Sequence, residues 1–314
     1  MHIKTIVIGS MLTAITGVAC AAQEPPPLVS PAWVAAHSCK PGVVVVDVRS
    51  HVGGGGNQFT YLSGHVPCAV YSDYAKAGWR VKEKGIPGML PPVGQLDKLI
   101  GGLGIDNHTH VVIYSAGTNA LDMGSATRVF WTFKVLGDNN VSIMDGGYKA
   151  YVEGKYPVKR GTQKAKTAQF NGHLDHALLA SEAEVEQAMK SGKVQLVDNR
   201  PMSQYLGVTR PPMDKRAGTI PGAANLPQGW LTVNDGGEFR SIAQLKALYK
   251  EAGVGTSGEQ INFCNTGHWA SLGWFVSYEL LHNKQAKVYD GSMAQWTSNP
   301  ALPVETKIKL SQAH

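Results

Sequence analysis

The sequence repeats itself, and this duplication constrains the fold more than any other feature. Four segments recur in the same order at offsets near 150 residues. The pairs are VVVVDVRS (43–50) with VQLVDNRP (194–201), GHVPCAV (64–70) with GTIPGAANLP (218–227), HVVIYSAG (110–117) with QINFCNTG (260–267), and VSIMDGGYKAYVEGKYPV (141–158) with KVYDGSMAQWTSNPALPV (287–304). Ordered matches at one spacing indicate two copies of one module.

Each copy alternates strands with helices. The apolar run over residues 43–46, followed by polar residues, is typical of a buried parallel strand. Helix starts are predicted at Ser30, at Ser241 and at the pair Ser181 with Glu184. Strands that alternate with helices need crossover connections, which give a parallel sheet covered on both faces. The sequence therefore predicts an α/β protein of two tandem modules, each a parallel sheet flanked by helices on both faces.

The domain boundaries follow from the repeats and from local composition. Residues 1–22 are interpreted as a signal peptide, residues 23–158 as the first module and residues 173–314 as the second. The connecting residues 159–172 are rich in lysine and have no clear apolar periodicity, so we interpret them as a solvated linker.

The first residues have the layout of a secretory signal. A lysine precedes an apolar run over residues 6–18, and the small residues that follow predict cleavage after Ala21 or Ala22. The run is too short to span a bilayer. Anchoring as a lipoprotein through Cys20 is the less favoured alternative, because Gly17 stands where a large aliphatic residue is usual. We therefore expect an exported, periplasmic protein without a membrane span.

Export makes the cysteine count informative. Removal of Cys20 with the signal leaves three cysteines, an odd number for an oxidising compartment. Cys39 and Cys68 lie close in sequence and are the candidate disulfide. Two independent buried thiols are the alternative, and both interpretations stay open at this point. In either case Cys264 is unpaired.

Charge and histidine spacing exclude some classes of function. The net charge of the sequence is +6, which is enough to help attract small anions. The basic residues are scattered and form no arginine-rich helix, so nucleic-acid binding is not expected. Neither CxxC nor HExxH occurs in the sequence, and we therefore predict no metal site.

Cys264 follows a predicted strand, QINF (260–263), and precedes a predicted helix. Ligands collect at the carboxyl ends of parallel strands. Loop N–H groups and a helix N-terminus would surround the sulfur, and both favour the thiolate over the thiol. A buried structural cysteine is the plainer alternative. The candidate site consists of Cys264 and the loop residues Asn265, Thr266, Gly267, His268, Trp269 and Ala270.

These paired modules resemble the tandem-domain rhodaneses, which are thiosulfate or mercaptopyruvate sulfurtransferases, in an exported bacterial form. The resemblance rests on the DVR and DNR strand ends, the GHVPCAV and GTIPGAA turns, the cysteine loop, and the DGG and DGS turns. It covers nearly all of the chain after residue 22. In that family the second module is catalytic, and here Ser115 stands in the first module where Cys264 stands in the second.

The resemblance implies a two-step transfer of sulfur without a cofactor. Cys264 takes the outer sulfur of a small anionic donor and holds it as a persulfide, which the amides of the loop stabilise. Cyanide or a thiol then accepts the sulfur, and an exported acceptor protein is a further candidate partner. A non-enzymatic persulfide carrier or docking protein is the alternative. Export favours thiosulfate over mercaptopyruvate, a cytoplasmic metabolite.

The sequence departs from the family at positions that bind anions. Thiosulfate-type loops commonly carry basic residues where Asn265 and Thr266 stand, and Gln204 replaces a basic residue found in many relatives. His268 either lends positive charge or lines the mouth of the site, and Trp269 is expected to wall it. Asp198 is expected to organise the loop. The basic residues that could substitute are Arg200, the best placed, and Arg210, Lys215 and Arg216.

A cysteine-dependent phosphatase is the rival enzyme class on this fold. Such enzymes need an arginine six positions after the cysteine to grip phosphate with two hydrogen bonds. Ala270 occupies that position. The phosphatase interpretation is therefore rejected from the sequence.

Overall fold

The computed structural model describes residues 24–308. The predicted signal peptide and Cys20 lie outside these residues. Within residues 24–308, no helix is long and apolar enough to cross a membrane.

Residues 24–308 contain twelve strands, numbered in chain order. They are β1 (Leu28–Val29), β2 (Val43–Asp47), β3 (Val70–Tyr71), β4 (Val81–Glu83), β5 (Ile86–Met89), β6 (His110–Tyr114), β7 (Val141–Met144), β8 (Leu179–Ala180), β9 (Gln195–Asp198), β10 (Ala224–Asn225), β11 (Gln260–Phe263) and β12 (Ala286–Tyr289).

The described part of the chain also contains ten α-helices, with short 3₁₀ turns between some of the elements. They are α1 (Pro31–His37), α2 (Gln58–Ser63), α3 (Val93–Gly102), α4 (Ala120–Val135), α5 (Gly147–Glu153), α6 (Glu182–Ser191), α7 (Met202–Tyr205), α8 (Ile242–Glu251), α9 (His268–Phe275) and α10 (Ser292–Trp296). A π-helical turn, Val276–Leu280, extends α9.

Two five-stranded parallel sheets have the same strand order, which confirms the predicted fold. The first is β1-β7-β6-β2-β3 and the second is β8-β12-β11-β9-β10. Corresponding strands therefore occupy the same places in the two modules. The antiparallel hairpin β4–β5 belongs to the first module alone among the described residues.

Local sequence explains where the helices begin. The Ser30 hydroxyl accepts the N–H of Trp33 at the start of α1. Ser181 and Glu184 form the predicted capping box at the start of α6, and Ser241 makes a capping box for α8 with Gln244. Each cap satisfies N–H groups that the first helical turn leaves without a partner.

A disulfide and the packing of the connecting segment further stabilise the first module. Cys39 and Cys68 form a disulfide, with their Cα atoms 5.4 Å apart. Residues 159–172 follow the surface of the first module: Ala168 donates its N–H to the carbonyl oxygen of Gly101, and the ring of Phe170 is buried. The connecting segment is thus partly packed rather than wholly solvated.

The modules pack against each other through α4 and α9. The rings of Phe130 and Phe275 meet edge to face at 4.9 Å, and the hydroxyls of Thr127 and Ser271 lie 3.0 Å apart. Burying these apolar rings stabilises the contact by the hydrophobic effect and by their favourable geometry. One hydrophobic core continues through both helices.

The aspartate of each DG turn accepts a backbone N–H group from the other module. Leu90, just after the hairpin, donates its N–H to the Asp290 carboxylate at 2.6 Å. In return, Phe239 of the second module donates its N–H to the Asp145 carboxylate at 3.0 Å. These reciprocal bonds fix the two sheets in one relative orientation.

His268, at the start of α9, is held as a neutral ring in this interface. Its Nε2 lies 2.7 Å from the carbonyl oxygen of Leu121, which can only accept, so Nε2 carries the proton. Nδ1 then accepts from the hydroxyl of Tyr74 at 2.6 Å. Burial lowers the pKa of His268 to about 3, and the positive charges of Arg80 and Arg128 act in the same direction. His268 therefore lends no positive charge to a substrate at neutral pH.

This burial predicts a pH-dependent stability. Unfolded His268 titrates near 6.5 but the folded ring only near 3, so between these values the unfolded state binds more protons. The free energy of unfolding should therefore fall as the pH is lowered through this interval. Between pH 7 and pH 5, the free energy of unfolding measured in urea should decrease by about 2 kcal/mol more in the wild type than in His268→Gln. Equal losses would contradict a neutral, buried His268.

Candidate active site

Cys264 is the first residue after β11, at the carboxyl end of the second sheet. Its side chain is 1% exposed, and it is the one free cysteine among the described residues. Gly267 ends the loop and caps α9 with φ +73°, a conformation that favours glycine. The loop therefore turns tightly from the strand into the helix, with the sulfur enclosed.

The start of α10 anchors the outer side of this loop. The Ser292 hydroxyl accepts the N–H groups of Cys264 at 3.0 Å and Gly267 at 3.1 Å. Met293 and Ala294 donate their N–H groups back to carbonyl oxygens of the loop. Ser292 thus positions the cysteine. The repeated DGG and DGS turns mark this segment in the sequence, but they do not indicate its role.

Several backbone N–H groups of the loop and of the helix start have no acceptor among the described residues. Three of them belong to the first turn of α9, where helical geometry provides no partner. Such groups, together with the positive end of the helix, form a site for an anion. Within residues 24–308 we find no acceptor for the backbone N–H groups of Asn265, Thr266, His268, Trp269 and Ala270.

The matching loop of the first module shows what such a set of N–H groups binds. Ala116, Gly117 and Thr118 donate their N–H groups to the Asp122 carboxylate at 3.2, 2.7 and 3.2 Å. Burial raises the pKa of Asp122, and the three amides counteract this effect. An internal anion therefore fills the first loop, next to Ser115.

The two helices differ at the position that supplies this anion. Asp122 is the third residue of α4, and the third residue of α9 is Ala270, whose methyl group cannot accept hydrogen bonds. Counted from Ser115 and Cys264, Asp122 corresponds instead to Ser271, whose hydroxyl donates to the carbonyl oxygen of His268 and carries no charge. The loop of the second module is therefore left open to an external anion or to a negatively charged sulfur on Cys264.

Arg128 of the first module lies directly behind the cysteine loop. It is fully buried, and its Nη1 lies 2.6 Å from the Asp290 carboxylate. A Cβ on residue 267 would collide with the same Nη1 atom. Glycine is therefore needed at this position because Arg128 packs against the backbone as well as because of the φ angle. Arg128 is thus a paired cation that supports the loop.

Arg200 is bonded within its own module. Its Nε and Nη2 donate to the Asp198 carboxylate, Nη2 also donates to the carbonyl oxygen of Gly218, and Nη1 lies 3.3 Å from Asp214. Asp198 accepts in addition from the Thr219 hydroxyl at 2.7 Å. Asp198 thus organises Arg200 and the following turn rather than the cysteine loop.

The first module contains the same ion pair. Arg49 donates to the Asp47 carboxylate and to the carbonyl oxygen of Gly64. Since this pair also occurs where the cysteine is absent, its common role is to hold the strand end and the turn together. The hydrogen bonds of Arg200 stabilise the fold of the second module. Its role in anion binding stays a prediction.

The remaining basic residues considered from the sequence bind other groups or point to solvent. Arg210 donates to the carbonyl oxygen of Asp214, and Arg216 donates to main-chain carbonyl oxygens that include those of Leu302 and Asn299. Lys215 is exposed. These residues do not supply a free cation at Cys264.

Thr266 and Trp269 form the side of the loop that faces the interface. A Cβ on Gly88, in the hairpin, would lie 2.9 Å from Thr266 Cβ, so the hairpin touches the loop. Trp269 is half-buried against the core, and its buried Nε1 has no acceptor among the described residues. Asn265 is buried next to the cysteine.

The structure thus adds residues of the first module to the predicted site: Tyr74, Arg80, Gly88 and Arg128. They lie far from Cys264 in sequence and belong to no repeated motif. Their contribution depends on how the modules pack, which local sequence patterns do not reveal.

Comparison with known proteins agrees with this geometry. Residues 30–153 and 181–299 both match the Rhodanese-like domain. The thiosulfate sulfurtransferase of Cricetulus griseus is 32% identical over 290 residues, which cover 90% of this chain and 94% of that protein. The sulfur carrier protein TtuD of Thermus thermophilus is 31% identical over 292 residues, which cover 90% of this chain and 97% of that protein.

A solved structure shows the same arrangement. SseA from Escherichia coli, described as a 3-mercaptopyruvate sulfotransferase, superposes with a TM-score of 0.75 at 25% identity, covering 85% of this chain and 99% of SseA. Two matching modules and relatives above 30% identity along nearly the whole chain agree with the open cysteine loop. The chain belongs to the rhodanese family and is a tandem-domain sulfurtransferase.

Proposed function

We propose that the protein transfers the outer sulfur of thiosulfate through a persulfide on Cys264. The observation that carries the proposal is the position of Cys264, unpaired among residues 24–308, in a loop whose N–H groups have no acceptor within the same residues. Such groups stabilise the negative charge that stays on the terminal sulfur of a persulfide.

In the first step the Cys264 thiolate attacks the outer sulfur of thiosulfate. A bond forms between Sγ and that sulfur, the sulfur–sulfur bond of thiosulfate breaks, and sulfite leaves with the electron pair. The total charge is unchanged, since a thiolate and a dianion give a persulfide anion and the sulfite dianion. No oxidant, metal or other cofactor takes part in this exchange.

In the second step a thiophilic acceptor attacks the outer sulfur of the persulfide. With cyanide the products are thiocyanate and the Cys264 thiolate, so the enzyme is ready for another cycle. A thiol acceptor would give a new persulfide. Because Cys264 is 1% exposed, small donors and acceptors fit the site better than a bulky group would.

We assign the second module as the catalytic one and the first as non-catalytic. Ser115 is a weaker nucleophile than a cysteine, and the Asp122 carboxylate occupies the N–H groups that would hold a substrate anion. The substrate-binding segment is then Cys264, the loop residues Asn265, Thr266 and Gly267, and the first turn of α9 with His268, Trp269 and Ala270.

Intact-mass spectrometry of the purified protein tests this function. After addition of thiosulfate the wild type should gain the mass of one sulfur, and cyanide should remove it and release thiocyanate over many cycles. Cys264→Ser should neither gain mass nor turn over. Ser115→Ala is the matched control in the first module and should behave as the wild type. Sulfur loading in Cys264→Ser would contradict the assignment.

A persulfide carrier is the second candidate function, favoured by the similarity to the sulfur carrier protein of Thermus thermophilus. Both functions use Cys264, but they differ in the second step. A carrier would load one sulfur and keep it in the presence of cyanide until its acceptor protein arrives. Repeated release of thiocyanate in the same experiment therefore separates the enzyme from the carrier.

We further propose that the protein is exported to the periplasm. The layout of residues 1–22 and the disulfide between Cys39 and Cys68 support this location, because disulfides persist in oxidising compartments. The full-length chain expressed in a Gram-negative host should be recovered from the periplasm without residues 1–21 or 1–22. A cytoplasmic, uncleaved chain would contradict export, and a lipid attached to Cys20 would indicate anchoring instead.

A further inference from the structure

Arginine side chains from both modules surround the cysteine loop, and their charges are compensated to different degrees. Arg128 pairs with Asp290, and Arg200 pairs with Asp198 and Asp214. A buried cation that already has a carboxylate partner adds little net attraction for a second anion. These two residues therefore leave the site without a free positive charge.

Arg80 is different, because no carboxylate of the described residues pairs with it. Its guanidinium is half-buried and lies over the ring of Tyr74 at 4.7 Å. Stacking of this kind holds a guanidinium in place while its edge N–H groups stay available.

The neighbouring backbone fixes Arg80 in front of the cysteine loop. Trp79 is fully buried and donates its indole N–H to the Ser72 hydroxyl, which anchors the chain just before Arg80. A Cβ on Gly88 would lie 3.3 Å from Arg80 Nη1 and 2.9 Å from Thr266 Cβ. The guanidinium is therefore close to the loop residue two positions after the cysteine.

The charges of Arg80 and Cys264 also reach a common neighbour. Burial is the largest cause of the raised pKa of Tyr74. Cys264 also raises this pKa, whereas Arg80 lowers it. Arg80 likewise helps to lower the pKa of His268. These effects agree with the position of Arg80 next to the cysteine loop.

Resting on the proposed function, we propose that Arg80 of the first module binds the negatively charged oxygens of the sulfur donor. The cysteine loop of the second module carries Asn265 and Thr266, and the buried ring of His268 is neutral, so the loop's own side chains provide no free cation. A planar guanidinium fits two oxygens of a sulfonate or carboxylate group at once. The donor anion is thus bound between the modules, with its outer sulfur directed to Cys264.

Donor loading and sulfur release, measured separately in single turnovers, test this role. In Arg80→Met the second-order rate of persulfide formation from thiosulfate should fall about 100-fold, as expected for loss of charge-assisted hydrogen bonds. Arg80→Lys should recover part of the rate. Release of sulfur from the preloaded enzyme to the neutral thiol dithiothreitol should change less than about two-fold. Lys82→Met removes an exposed charge from the same hairpin and should behave as the wild type.

A second measurement needs no sulfur transfer. Inorganic sulfate should protect Cys264 of the wild type and of Lys82→Met from alkylation by iodoacetamide, and it should not protect Arg80→Met. If the wild type fails to load from thiosulfate but shows this protection, the proposed donor is wrong and the role of Arg80 stands. Loading and protection unchanged in Arg80→Met would overturn the role of Arg80, as would an equal decrease in loading and release.

Discussion

The packing of α4 against α9 is the contact on which the rest of the site depends. α9 begins at His268, directly after the cysteine loop, and α4 carries the buried Arg128 that supports this loop. The same contact holds His268 between Tyr74 and Leu121 and keeps its ring neutral. The site is therefore built by both modules, although only the second module carries Cys264.

Duplication followed by divergence explains the different roles of the modules. Both keep a strand-to-helix loop whose N–H groups favour an anion, but the third helical residue is Asp122 in one and Ala270 in the other. The carboxylate fills the first loop and leaves the second as the place for an external anion. The first module then contributes through its hairpin and α4 rather than through its own loop.

Local patterns were sufficient to predict the parallel sheets, the helix caps at Ser181 and Ser241, and the tight loop after Cys264. These features depend on neighbouring residues and on a repeat that can be read directly. The contributions of Arg80 and Arg128 could not be predicted in this way, because they arise where two modules meet. The sequence position of Arg200 predicts anion binding, whereas its hydrogen bonds hold the strand end and the following turn together.

A crystal structure of the wild-type protein after exposure to thiosulfate, with sulfur located by anomalous scattering, would show whether Cys264 carries the transferred sulfur. We expect an additional sulfur atom bonded to Cys264 Sγ, within hydrogen-bonding distance of the N–H groups of residues 265, 266 and 268–270. An unmodified Cys264, or an additional sulfur bound away from these N–H groups, would contradict this expectation.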